Sequence, residues 1–260
     1  MLVADRISDA GREVLASAGW SWLDRRGHLR LWVPGVRVET PFPTTEDHRG
    51  DGSENLWTGV GLEVALYALM HPNEEIRARR VASVIGRSAG ATHDLIGRFT
   101  RVGLIGPSTH RPLLPDLFWE TSARWPDDGW LPLAVSIHEA AERVGPDALV
   151  RVDERAATLG GAKIAAAADL PPRCYVSSAG SLRRLRGGSE RSGPARCYVR
   201  SSPVHWLPEL EGFSPTPEHP WRVAAPLVCA LRLAADPARG REIVDAWGIV
   251  PTGAGREVDR

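Results

Sequence analysis

The chain has 260 residues, of which 43% are hydrophobic and 25% charged, and its formal net charge is zero. An ordinary packed core is therefore expected, and any attraction to nucleic acid has to come from a local basic patch. No apolar run approaches the roughly 18–20 residues that a membrane span needs, so no membrane partner is expected. The N-terminus also lacks a basic region followed by an apolar one, the pattern of a secretion signal. Three cysteines, Cys174, Cys197 and Cys229, are scattered without a CxxC spacing. They read as small buried thiols in a reducing cytoplasm, and neither metal nor cofactor is expected. Lys163 is the single lysine among many arginines, a bias that points to a GC-rich genome such as an actinobacterium's.

Residues 1–40 read as one small unit. Ser8 is placed to cap a helix from about Asp9 to Ala18, with Val14 and Leu15 inward and Gly19 ending it. Strands are expected over residues 20–24 and 28–33, turned at Arg25-Arg26-Gly27, because Leu29, Leu31 and Val33 alternate with polar neighbours. Residues 41–56 are rich in proline, glycine and acids, and read as a linker.

The segment 57–126 carries the clearest pattern, a winged helix-turn-helix. Its first helix runs from about Gly59 to Met70, with Leu62, Ala65, Leu66 and Leu69 at i, i+3, i+4 and i+7. A second covers about Ile76 to Ile85, with Val81, Val84 and Ile85 inward. Gly86 supplies the tight turn, Ser88 caps a third helix reaching Val102, and Gly103 ends it. Leu95, Phe99 and Val102 form the inner stripe of that third helix, beside Thr92 and Ile96. Gly106-Pro107-Ser108-Thr109-His110-Arg111 reads as a wing between Leu104-Ile105 and Pro112-Leu113-Leu114.

Between Ile76 and Arg111 there are seven arginines and one acid, a formal charge of +6 in a neutral chain. The positive charge is thus expected to be confined to this segment. A recognition helix in the major groove presents its exposed N-terminal residues to base edges and its arginines to phosphates. Ser88, Ala91, His93 and Asp94 are the candidate base-reading residues. Arg79, Arg80, Arg87, Arg98, Arg101, His110 and Arg111 are the candidate phosphate contacts.

Breaks are expected near Pro126-Asp127-Asp128-Gly129 and across residues 187–194. Beyond residue 130 helices alternate with strands: helix 136–144, strand 148–152, helix 153–160, strands 163–168 and 174–177, helix 179–185 and strand 196–201. Two helices, 225–235 and 238–247, close the pattern. The fold class is accordingly α+β, with a mixed α/β domain over 127–250 and a tail at 251–260. Trp206, Trp221 and Trp247 are candidates to line a ligand pocket there, with packing in the core as the alternative.

Other residues raise enzymatic readings. Gly86-Arg87-Ser88-Ala89-Gly90 matches GxSxG, but a nucleophile elbow needs a strand before the serine, and an amphipathic helix precedes it here. A metal-dependent nuclease needs paired acids with a nearby lysine; Asp24 and Glu39 are present, but Lys163 lies in another domain. Gly180-Ser181 lacks the Asp-x-Asp of nucleotidyltransferases, and Gly160-Gly161 and Gly253-Ala254-Gly255 are too sparse for a phosphate loop. No enzymatic activity is expected.

The stretch Leu2 to Ser8, and Ala18-Gly19-Trp20-Ser21-Trp22-Leu23-Asp24-Arg25-Arg26-Gly27-His28-Leu29-Arg30-Leu31 after it, resembles a leader found in actinobacterial helix-turn-helix regulators. Those regulators are similar to the AbiEi-family antitoxins of type IV toxin–antitoxin systems. Arg80 to Leu104 matches their winged helix. Pro112-Leu113-Leu114-Pro115-Asp116-Leu117-Phe118-Trp119-Glu120 resembles the segment on the C-terminal side of that winged helix. Asp169-Leu170-Pro171-Pro172-Arg173-Cys174-Tyr175-Val176 and Ala238-Arg239-Gly240-Arg241-Glu242-Ile243 resemble the C-terminal domain. The resemblance covers most of the chain. It implies a non-catalytic, partial restriction-endonuclease-like unit at 1–40, begun inside its core, and a DNA-binding repressor or autoregulator. The partners expected are double-stranded DNA, a second copy of the chain in a homodimer, and an unknown ligand or protein at the C-terminal domain. The alternative reading is an antitoxin or adaptor that holds a protein partner through that domain.

Overall fold

A computed structural model describes residues 1–4, 7, 9–24, 28–33, 36–41, 56–164, 170–187, 193–205, 221–236 and 239–250. The chain is α+β, as expected, and divides into two compact units, 1–56 and 57–260. Among the described residues no helix is long and apolar enough to cross a membrane.

The first unit is built on a four-stranded sheet, β1 (Leu2–Ala4), β2 (Trp22–Asp24), β3 (His28–Val33) and β4 (Val36–Pro41), in that spatial order. Helix α1 (Asp9–Ser17) links β1 to its parallel neighbour β2, and the remaining pairs are antiparallel. The helix and the β2–β3 hairpin stand where expected; β1 and β4 are additional. β1 is too short for its alternation to register, and β4 mixes charged and apolar residues. Val14 is exposed and not on an inner face. Strand alternation gathers Val3, Leu23, Leu29, Leu31, Val33 and Val38 on one face of the sheet. On the other, the Arg30 guanidinium lies 4.9 Å from the Trp22 ring centre and 3.8 Å from that of Trp32. Ser8, the turn at 25–27 and most of the expected linker lie outside the described residues.

The second unit begins with α2 (Gly59–Met70), α3 (Ala78–Ile85), α4 (Ala89–Arg101) and α5 (Asp116–Ser122). A single apolar stripe understates α2: every residue from Gly61 to Leu69 is buried, so the helix is a central post. α3 starts two residues later than its periodicity suggests, because the Ile76 amide donates to the His110 carbonyl at 2.8 Å. Its buried side is Val81, Ala82 and Ile85; Val84 faces outward and is exposed, against expectation.

The same unit contains a five-stranded mixed sheet, ordered β5 (Leu131–Leu133), β8 (Cys197–Ser201), β7 (Arg173–Val176), β6 (Leu149–Arg151) and β9 (Arg222–Val223). Pairs β5–β8 and β6–β7 are antiparallel; β7–β8 and β6–β9 are parallel. Helices α6 (Ile137–Val144), α7 (Glu154–Leu159), α8 (Ala179–Gly187), α9 (Pro226–Ala234) and α10 (Gly240–Trp247) interleave with them. Ser136 and Glu139 close a capping box on α6, and Asp153 caps α7 through the Ala156 amide at 3.1 Å. Of the strand expected at 163–168, residues 163 and 164 are not extended into any strand, and 165–168 lie outside the described residues. The loop at 188–192 and the tail from 251 lie outside them too.

The sequence places a boundary near residue 126, whereas the structure packs both sides of it into one compact unit. Leu117 and Phe118 of α5 are fully buried, and α5 packs on both α2 and α9. Just beyond α5, the Trp125 indole N–H donates to the Tyr175 hydroxyl on β7 at 2.9 Å.

Candidate nucleic-acid interface

α3 and α4 form a helix–turn–helix whose corner is set by backbone chemistry. Gly86 takes φ +63°, a left-handed conformation that costs other residues strain. Two residues later Ser88 returns to extended backbone, and its hydroxyl accepts from the Ala91 amide at 3.3 Å. Ser88 is therefore the cap of α4. A helix, not a strand, leads into it, so the nucleophile-elbow geometry that GxSxG requires is not what surrounds this serine.

Thr92, Leu95, Ile96 and Phe99 bury one side of α4. Ser88, Ala91, His93 and Asp94 are exposed, as a base-reading set requires. Asp94, Arg98 and Arg101 follow one another at i, i+4 and i+7 down the outer side, with Arg98 half-exposed and Arg101 exposed. Residues 104 to 113 form a minimal wing. The Leu113 amide donates to the Leu104 carbonyl at 2.9 Å, and Ile105 and Pro112 make an isolated antiparallel bridge. The expected wing is held by that bridge and by the Gly106 amide, which donates to the Arg111 carbonyl at 2.8 Å; Pro107 and Pro112 bring no amide donors to extend it. His110, at φ +49°, and Arg111 stand exposed at its end.

The seven arginines of this segment divide into two groups. Arg77 pairs with Glu75 at 2.7 Å, Arg80 with Glu74 at 2.6 Å, and Arg87 with the buried Glu63 at 3.3 Å. Glu63 also takes a hydrogen bond from His205 Nδ1. Arg79, Arg98, Arg101 and Arg111 make no ion pair among the described residues, although Arg111 lies close enough to Glu75 to help hold its carboxyl below the usual range. Arg80 and Arg87, which the sequence groups with the free phosphate contacts, are thus already engaged. The acids that engage Arg77, Arg80 and Arg87 are Glu75, Glu74 and Glu63, all on the N-terminal side of the stretch whose charge stands out.

The expectation that positive charge is confined to 76–111 does not hold. Residues 170–205 also carry seven arginines and one acid, an equal formal charge of +6. Here Arg173, Arg196 and Arg200 pair with Asp127, Glu139 and Asp128. Of the other four, Arg191 lies outside the described residues, and Arg183, Arg184 and Arg186 are all exposed on α8. A running charge count along the sequence would have found them.

The described tryptophans proposed for a pocket have different neighbours. Trp221 is buried edge-on to His138, 4.8 Å between ring centres, whereas Trp247 ends α10 beside Gly161. Trp206 lies outside the described residues. All three cysteines are free and buried. Burial pushes the Cys197 thiol up to about 11 and that of Cys229 up to about 12, and it raises Cys174 as well. Among the described residues no group of three or more His, Cys, Asp or Glu is placed to hold a metal.

Comparison of the chain with protein-family models, with curated proteins and with solved structures finds no match in any of the three.

Proposed function

We propose that this protein is a cytoplasmic, non-enzymatic transcriptional regulator that binds double-stranded DNA through α3, α4 and the wing. It acts as a homodimer on a roughly palindromic site. One observation carries the reading: a capped helix after a left-handed turn presents Arg98 and Arg101 outward, unmatched by any described carboxylate. Side chains held this way have no described carboxylate to give up on meeting a phosphate. The resemblance to AbiEi-family antitoxins supports the same reading and favours a repressor or autoregulator.

A salt series on a 40-base-pair duplex tests it. Affinity should fall steeply between 50 and 200 mM salt, with a log–log slope of about −0.9 per phosphate neutralised. Absence of binding at 50 mM salt overturns the proposal.

A further inference from the structure

We propose that the arginine face of α8 is a second phosphate-binding surface, gripping the DNA backbone beside the stretch read by α4. The inference rests on the DNA-binding reading above and extends its footprint. Arg183, Arg184 and Arg186 are exposed, while Ser181 and Leu185 of the same helix are buried, and α8 packs on α6, β5, β7 and β8. The helix is thus anchored on one side and presents guanidinium groups on the other. Its last turn carries Arg184 and Arg186, and Arg184 Nη2 lies 3.5 Å from the Ser181 hydroxyl. Among the described residues none of the three arginines has a carboxylate partner, although Arg173, Arg196 and Arg200 around them all do. Three arginines in four residues, unmatched by any described carboxylate on a helix packed along its other side, suit a line of phosphates.

Topology places this face near the helix–turn–helix. β7 and β8 are parallel, with Val176 opposite Ser201, and the Ser202 amide donates to the Val176 carbonyl at 3.1 Å. From the end of β7 the chain enters α8, where the Ser178 hydroxyl accepts from the Ser181 amide at 3.0 Å. From the same end of β8 it passes to His205, which binds Glu63 and faces Gly86. The start of α8 and the His205 contact with the corner that leads into α4 therefore lie at one end of the sheet. Chain lengths and strand spacing limit the separation of Ser178 from Arg87 to on the order of 40 Å. That limit is on the order of one DNA turn, ~34 Å, so the two surfaces lie within the span of a short duplex.

The test uses the full chain, a 40-base-pair duplex of arbitrary sequence, and four proteins: wild type, R183A/R184A/R186A, R183K/R184K/R186K and R98A/R101A. The substituted side chains are exposed or half-exposed, and circular dichroism checks that each variant folds. The α8 alanine variant should flatten the salt slope by about 2 to 3, and the lysine variant should keep it. An unchanged slope in the α8 alanine variant, with a flattened one in R98A/R101A, overturns this inference and leaves the regulator reading standing. The reverse pattern supports the α8 surface and overturns the role given to α4. A wild-type protein that binds no duplex at 50 mM salt overturns both. An α8-dependent grip on a 40-nucleotide single-stranded RNA, with duplex binding untouched by the α8 variant, overturns the assignment to DNA.

Discussion

Glu63, buried on α2, holds Arg87 at 3.3 Å from beneath the corner of the helix–turn–helix, and takes His205 Nδ1 on its other side. A carboxylate with 3% of its side chain exposed is costly unless matched. Glu63→Gln keeps the shape and removes the charge, so urea unfolding should show a loss of about 1–3 kcal/mol. A loss below about 0.5 kcal/mol, the scale of an ordinary surface substitution, would mean that the pair contributes nothing.

The corner itself makes two distinguishable demands. Ser88→Ala removes the cap and should cost about 1 kcal/mol, whereas Ser88→Asp should retain most of it. Gly86→Ala should cost about 1–2 kcal/mol through its left-handed backbone. The added methyl would sit 3.6 Å from His205 Nε2, an ordinary contact, so no clash adds to that cost. Urea midpoints of the three variants check both statements.

Contacts on α4 should sort by chemistry. Arg98→Ala is expected to weaken binding to all sequences about equally and to flatten the salt slope by about 1. His93→Ala should leave the slope alone and change base preference, read by selection from a random duplex pool. Identical effects of the two on selected and random DNA would show that the assignment is wrong.

Local signals make much of this legible in the sequence. α2 starts at Gly59 and ends at Met70, as its periodicity suggests, and Ser88 caps α4 as its position implies. The hidden features depend on distant partners. The sequence cannot show that Glu63 reaches Arg87, or that His205, 142 positions away, shares it. α5 escapes periodicity because it is short, although Pro115 followed by Asp116 is a recognisable helix start. β9, two residues long, exists only because β6 lies beside it.

The thiols give a pH dependence of definite sign. Cys197 and Cys229 titrate near 11 and 12 in the folded chain against an ordinary value of 9. The folded state therefore keeps protons that the unfolded chain releases, and stability is unaffected below about pH 9. Above it, stability should fall with rising pH, by up to about 1.4 kcal/mol per pH unit for each thiol, until the folded values are passed. Urea midpoints between pH 9 and 10.5 should decline less steeply in C197A/C229A than in wild type. At pH 8 a thiol-reactive disulfide reagent should label the native protein slowly and all three cysteines in denaturant.

α5 turns residues 57–260 from two modules joined by a hinge into a single block. Because Leu117 and Phe118 are fully buried in a helix that touches α2 and α9 alike, neither neighbour can shift without the other. Anything that binds the sheet would act on the surface proposed to meet DNA through a stiff connection, changing its tilt and not its tether. Heat or denaturant should dissolve both parts in one cooperative step.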